Sequence, residues 1–161
     1  MYKNSFRHLP SSSDDCKQFM RTFLTPRPEF QKYIEDTLCV GTPYTIMHMR
    51  LGDSYLLYNN THGFMETYNI LSNNITANAI LISDSKDFKD FVAERNKDVV
   101  VFSTIPGHIG LSTDDAVVRD TLVEFMIASR SSSIKTHSNY GWVSGFMTAV
   151  HKIYDVPITS F

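Results

Sequence analysis

The sequence predicts an α/β fold, a single domain with a Rossmann-like parallel sheet and flanking helices. Three observations carry this prediction. Short apolar runs of β-type composition recur at 44–49 (YTIMHM), 79–82 (AILI), 99–102 (VVVF) and 132–136 (SSIKT), with a last short one at 156–159. Segments of helical periodicity separate them. Strand and helix alternating at this spacing are what right-handed βαβ units look like in sequence, and such units build parallel sheets.

Element by element, residues 1–13 are polar and Ser-rich and read as a flexible lead-in, with the domain expected over 14–161. Asp14 and Asp15 are expected to cap a first helix carrying Phe19, Met20 and Phe23, and the prolines at 26 and 28 interrupt it. A second helix follows with Phe30, Tyr33, Ile34 and Leu38 on one face; both helices are expected to pack on the sheet. The strand at 44–49 ends abruptly in polar residues, as a buried strand with a functional tip would. A helix over 64–73 leads to the strand at 79–82. Ser85 opens a helix that turns Phe88, Phe91 and Val92 inward. After the strand at 99–102, the run Thr113-Asp114-Asp115 caps a long helix reaching Ile127, and a final helix is expected over 140–154.

At 161 residues and 18.4 kDa the chain has the size of one domain. Its 42% hydrophobic and 20% charged residues exclude a disordered or membrane-spanning composition. A net charge of −2 argues against a nucleic-acid partner, which would require a basic surface. The opening string MYKNSFRHLPSSSDD has no apolar stretch between its charges, so a soluble, cytoplasmic protein is expected. Cys16 and Cys39 are far apart and read as two reduced thiols. No two of the six histidines have metal-ligand spacing, and no Asp-x-Asp box stands near a strand end. Glycine-rich phosphate loops, the dinucleotide fingerprint and a nucleophile elbow are all missing.

The string that carries chemistry is His48-Met49-Arg50-Leu51-Gly52-Asp53. An arginine at a strand's carboxyl end forms paired, charge-assisted hydrogen bonds to phosphate oxygens with a geometry that lysine cannot match. Gly52 permits an unusual backbone angle or a close approach, and Asp53 can orient Arg50 or bond a sugar hydroxyl. A plain strand-end ion pair on a turn is the alternative.

This string resembles the His-x-Arg-x-Gly-Asp signature of fucosyltransferases, with the α-1,2 branch most similar. The resemblance implies the GDP-fucose-binding, C-terminal half of a GT-B glycosyltransferase, with Arg50 holding the β-phosphate and offsetting charge on the departing GDP. Two further strings follow in the family's order. Ser83-Asp84-Ser85 is similar to a strand ending in Ser-Asp-Asp, although the second acid is absent and a helix cap would explain the residues equally. His137-Ser138-Asn139-Tyr140-Gly141-Trp142 is similar to the family's Asn-Ser-Ser-Phe-Ser-Trp-Trp loop. Hydroxyl and amide side chains ahead of a helix N-terminus would cradle a phosphate there, or merely cap the helix with Trp142 in the core. The helix bearing Asp120 and Glu124 occupies the position where the family's acidic residue meets the nucleoside; the two acids share a face, and the sequence does not choose between them or exclude that both are solvated.

The expected activity is therefore metal-independent, inverting transfer of fucose from GDP-fucose to a glycan acceptor, with no cofactor beyond that donor. His48, Asp53 and His137 are the candidate general bases. Only about forty residues precede the first strand, where the family places an acceptor-facing domain. A partner chain, or a segment outside this sequence, would then supply the acceptor site. The competing expectation is a nucleotide-sugar-binding module or subunit without catalysis.

Overall fold

The computed structural model describes residues 13–38, 43–52, 63–105 and 114–161. Among them run α1 (Asp14–Phe23), α2 (Pro28–Thr37), β1 (Thr45–Arg50), α3 (Phe64–Ser72), β2 (Ala79–Ser83), α4 (Lys86–Arg95), β3 (Val99–Val101), α5 (Asp115–Ser129), β4 (Ser133–Ser138), α6 (Gly145–Tyr154) and β5 (Ile158–Ser160). The five strands pair in parallel in the order β3-β2-β1-β4-β5. The expected α/β fold with a Rossmann-like sheet is therefore the observed one.

This order has a mechanical origin. From β1 the chain steps outward to β2 and β3 through α3 and α4, which a right-handed crossover places on one face. It then returns through α5 to lie on the other side of β1, and α5 and α6 cover the opposite face. Strand alternation fills both layers. Ile46, Ile80, Ile82 and Ile134 face a core shared with Ile34 of α2, Val123 and Ile127 of α5, and Met147 and Val150 of α6. Met47, Met49, Ala79 and Leu81 face Phe64 and Leu71 of α3 and Phe88 and Val92 of α4. β1 and β2 are buried almost throughout, as central parallel strands must be. Each fully buried aliphatic side chain contributes about 1.5–3 kcal/mol.

Several expectations need adjustment. Ser13, not Asp14 or Asp15, is the N-cap of α1, its hydroxyl accepting from Cys16 N at 3.3 Å, while the two acids occupy the first turn where they favour the helix dipole. The rest of the expected lead-in lies outside the described residues. α1 does not pack on the sheet. It buries no residue and leaves Phe19 and Phe23 stacked on each other in solvent. Polar contacts hold it to the end of α6: Lys17 Nζ and Arg21 Nη2 meet the Asp155 carboxylate at 2.5 and 2.7 Å, and Arg21 Nε donates to the Ile153 carbonyl. The long-helix cap is Asp114, whose carboxylate accepts from Ala116 N. β4 continues two residues further than expected, through Ser138, and α6 starts at Gly145 rather than at residue 140.

The feature absent from the sequence reading is an ion pair sealed between the two helical layers. Lys89 of α4 is 1% exposed, and its ammonium donates to the Glu124 carboxylate at 2.8 Å and to the Thr104 hydroxyl and carbonyl at 2.6 and 3.0 Å. Thr104 Oγ1 also donates to Glu124. Three partners around one ammonium offset its desolvation, whereas a single missing partner leaves a buried charge uncompensated. Glu124→Leu is accordingly expected to lower unfolding free energy by about 3–5 kcal/mol. Lys89→Met combined with Glu124→Leu should recover most of that loss, and urea denaturation of the three proteins checks both outcomes.

Candidate functional site

In a doubly wound parallel sheet the crevice opens where strand order reverses, beyond the carboxyl ends of the two strands that flank the reversal. Here those strands are β1 and β4. Their register sets Arg50 beside Ser138 and Met49 beside both His137 and Ser83, so the three strings singled out in the sequence arrive at one edge of the sheet.

Asp84, just past β2, organises that edge. Its Oδ1 accepts from Leu51 N at 2.8 Å, and its Oδ2 accepts from Gly52 N at 2.9 Å and from Arg50 Nη1 at 2.9 Å. Both side chains are largely shielded, at 19% exposure for Arg50 and 11% for Asp84. One carboxylate thus binds the backbone of the β1 tip and fixes the guanidinium it carries. The alternative role of helix cap does not fall to Asp84: Ser85, expected to open that helix, is the cap, its hydroxyl accepting from Phe88 N at 3.2 Å. Ser83 is buried, and its hydroxyl accepts from Ser85 N within the turn.

The β4 tip is stapled to the β1 tip. Asn139 N donates to the Arg50 carbonyl at 3.1 Å and its Nδ2 to the Leu51 carbonyl at 3.2 Å. Ser138 closes the following turn on itself, its hydroxyl accepting from Tyr140 N and its carbonyl from Gly141 N. Because α6 begins only at Gly145, capped by the Ser144 hydroxyl, the residues at 138–141 are a strand tip and turn and not the helix N-terminus expected of a phosphate cradle. The physical reason is that residues 137 and 138 continue the ladder with β1, which delays the helix. Gly141 adopts φ +71°, while Trp142 lies 43% exposed and not in the core.

Tyr140 explains Gly52. A β-carbon at Gly52 would stand 2.8 Å from the Tyr140 ring, and φ there is +102°. The positive φ favours glycine here, and any side chain would also have to displace the Tyr140 ring that packs across the β1 tip. The Arg50 guanidinium lies 5.8 Å from the centre of the same ring, and Trp142 stacks on it at 5.2 Å with the planes 21° apart.

His48 shares Arg50's face of the sheet two residues earlier. It is 4% exposed, with Nδ1 2.8 Å from the Thr136 hydroxyl. Burial, reinforced by the Arg50 charge, lowers its pKa to about 3. The imidazole is neutral at physiological pH, and so weak a proton acceptor does not suit a general base. His137 points to the opposite face, where Nδ1 donates to the Phe161 carbonyl at 3.2 Å, so the fold does not bring it to Arg50. Asp53 lies outside the described residues.

The α5 carboxylates are not solvated. Asp120 is 6% exposed, its Oδ2 accepting from Ile105 N at 3.0 Å and its Oδ1 from Arg119 Nε and Nη2. Glu124 is paired with Lys89. Both anchor the segment that leaves β3, two strands away from Arg50. The structure thus gathers Arg50, Gly52, Asp84, Ser138, Asn139, Tyr140 and Gly141 at one edge and leaves His137, Asp120 and Glu124 outside it. Among the described residues no cluster of three or more His, Cys, Asp or Glu is placed to hold a metal ion, and no helix is long and apolar enough to cross a membrane.

Two consequences are measurable. Gly52→Ala is expected to destabilise the fold by about 1–3 kcal/mol, since it adds both a strained backbone angle and a clash with Tyr140. Tyr140→Ala in the same chain should relieve the steric part, as a double-mutant cycle by urea denaturation reads directly. His48 has a folded-state pKa below its unfolded value, so the unfolded chain takes up its proton first. Stability is full above about pH 6.5 and falls as pH drops toward 3, with a slope from this group approaching about 1.4 kcal/mol per pH unit. In denaturation between pH 6.5 and 4.5, His48→Gln should flatten that slope.

No protein-family model matches the chain and no curated protein matches it significantly. Solved structures do. NodZ α-1,6-fucosyltransferase soaked with GDP-fucose superposes with a TM-score of 0.53 at 18% identity, covering 93% of this chain and 50% of the other. The same enzyme co-crystallised with GDP gives 0.56 at 13% identity, over 93% of this chain and 49% of the other. Fucosyltransferase NodZ from Bradyrhizobium gives 0.55 at 13% identity, over 93% and 50%. The chain spans about half the length of these structures, and its fold is that of the part it covers.

Proposed function

We propose that this chain is the donor-binding half of a fucosyltransferase-like glycosyltransferase and that it takes GDP-fucose, with Arg50 on the β-phosphate. The observation that carries the reading is the placement of Arg50. It stands at the topological switch point of a doubly wound sheet, held there by Asp84 and cornered by the β4 tip. Support comes from the likeness of fold to an enzyme solved with GDP-fucose and with GDP, and from the family's strings falling in the same order. The string at the β1 tip favours the α-1,2 branch.

In this reading, fucose leaves the diphosphate as a glycan hydroxyl attacks from the opposite side, inverting the anomeric carbon. Negative charge gathers on the departing GDP. A guanidinium pre-set by Asp84 stabilises that charge without reorganising, which is how a fixed dipole or cation lowers a barrier. The protein is read as a soluble, cytoplasmic one that needs no metal for this. In this reading His48, buried and neutral, does not take the acceptor's proton, and Asp53 is the remaining base candidate. The acceptor site comes from a partner chain or from a segment outside this sequence.

A second reading, a nucleotide-sugar-binding module without catalysis, is favoured by Ser85 standing where the family's Ser-Asp-Asp string has its second acid. Release of GDP from GDP-fucose in the presence of glycan acceptors separates the two readings. The donor site itself is tested by calorimetry of GDP-fucose, GDP and UDP in the presence of a chelator. Saturable GDP binding is expected, weakened about a hundredfold in Arg50→Ala because paired charge-assisted hydrogen bonds are lost. A folded chain that ignores GDP would reduce the likeness to one of fold alone.

A further inference from the structure

The aromatic pair beyond β4 has a feature that phosphate binding leaves unexplained. Tyr140 is accounted for by its packing across Gly52 and beside Arg50. Trp142 is not: it stacks on Tyr140 at the crevice edge yet keeps 43% of its surface exposed. An indole held in place on the sheet's carboxyl edge, one ring away from the diphosphate's arginine, is a preformed flat apolar surface inside a polar crevice.

Its side of the crevice identifies the occupant. A doubly wound sheet has two halves. Two-part ligands of such sheets lie across the crevice, one part over each half; on that pattern the nucleoside lies over the half that begins with β1 and the group carried beyond the pyrophosphate over the half that begins with β4. Tyr140 and Trp142 follow β4 directly. The acids Asp120 and Glu124, by contrast, are bound to the segment leaving β3, at the far edge of the other half.

Resting on the donor-site reading above, we propose that Trp142, backed by Tyr140, is the donor-sugar subsite. Its indole lies against the apolar C–H face and the C6 methyl of a 6-deoxyhexose carried on the diphosphate. A hexose with a hydroxyl on C6 would lose hydration of that hydroxyl against the ring without gaining a hydrogen bond, so the same surface selects fucose over L-galactose, of which fucose is the 6-deoxy form.

The test is calorimetry of GDP, GDP-fucose and GDP-L-galactose with the intact chain, Trp142→Ala and Trp142→Phe. The intact chain should prefer GDP-fucose to GDP-L-galactose by about tenfold, the scale on which apolar pockets sort near-isosteric ligands. Trp142→Ala should bind GDP unchanged, weaken GDP-fucose by about five- to tenfold and lose the preference, with Trp142→Phe in between. Since Trp142 is the chain's single tryptophan, the intact protein's emission should shift with GDP-fucose and not with GDP. Unchanged GDP-fucose affinity in Trp142→Ala overturns the proposal, as does an equal loss for GDP, which would make the indole a nucleoside surface. An intact chain that binds no GDP overturns instead the donor-site reading on which the proposal rests.

Discussion

Three donors converge on the carboxylate of Asp84: the amides of Leu51 and Gly52 and the guanidinium of Arg50. Without them the first strand would end in a loose turn, because residues beyond Arg50 have left the ladder with β2 and β4. With them, the strand's last turn is tied to the tip of β2, and its arginine loses most of the rotamer freedom that a long side chain would otherwise have to give up on binding an anion. Two adjacent backbone amides and a guanidinium form the kind of concavity that attracts an anion. In this chain Asp84 fills it, so any phosphate meets a cation already positioned by a charge of opposite sign. Asp84 is in this sense a built-in anion that sets the geometry.

The neighbours of that bracket follow from it. Once the β1 tip is fixed, Asn139 can complete the ladder from the other side, and Tyr140 is brought across Gly52 so closely that a side chain there would have to displace its ring. Beneath it, His48 stays a neutral ring chiefly because burial penalises its charged form, and also because a proton would add a second positive charge next to Arg50. One tied strand end therefore determines a glycine, a neutral histidine and the orientation of an aromatic pair.

The layer structure was legible because it rests on periodicity: buried parallel strands are continuous apolar runs, and β1, β2 and β3 fall within a residue of where those runs stand. Position 50 was legible because an arginine at the end of such a run has no packing reason to be there. What stayed hidden depends on long-range pairing. Asp84 and Ser85 both look like caps in sequence, and only the closeness of β1 separates their roles. The start of α6 was misplaced because extension of β4 through His137 and Ser138 comes from pairing with β1, which local propensity does not contain. Lys89 left a trace, since it shares the spacing of Ser85, Phe88 and Val92 on one helix face, but a lysine at an inward position identifies no partner until α5 is packed beside it.

Burial also separates two kinds of charge in this fold. The pair formed by Lys89 and Glu124 is closed off from solvent and satisfied by Thr104, so its work is internal: it joins α4 to α5 around the edge strand and anchors the chain as it leaves β3. The pair formed by Arg50 and Asp84 stands at the crevice, partly open, on the one edge where the strand order reverses. As support for the fold the guanidinium adds little at such an edge, where solvent weakens the pair and the Leu51 and Gly52 amides already bind Asp84. Its position is explained when the cation is needed there for a ligand and the anion is needed to hold it, which is why the donor-site reading rests on this pair and not on the stronger, buried one.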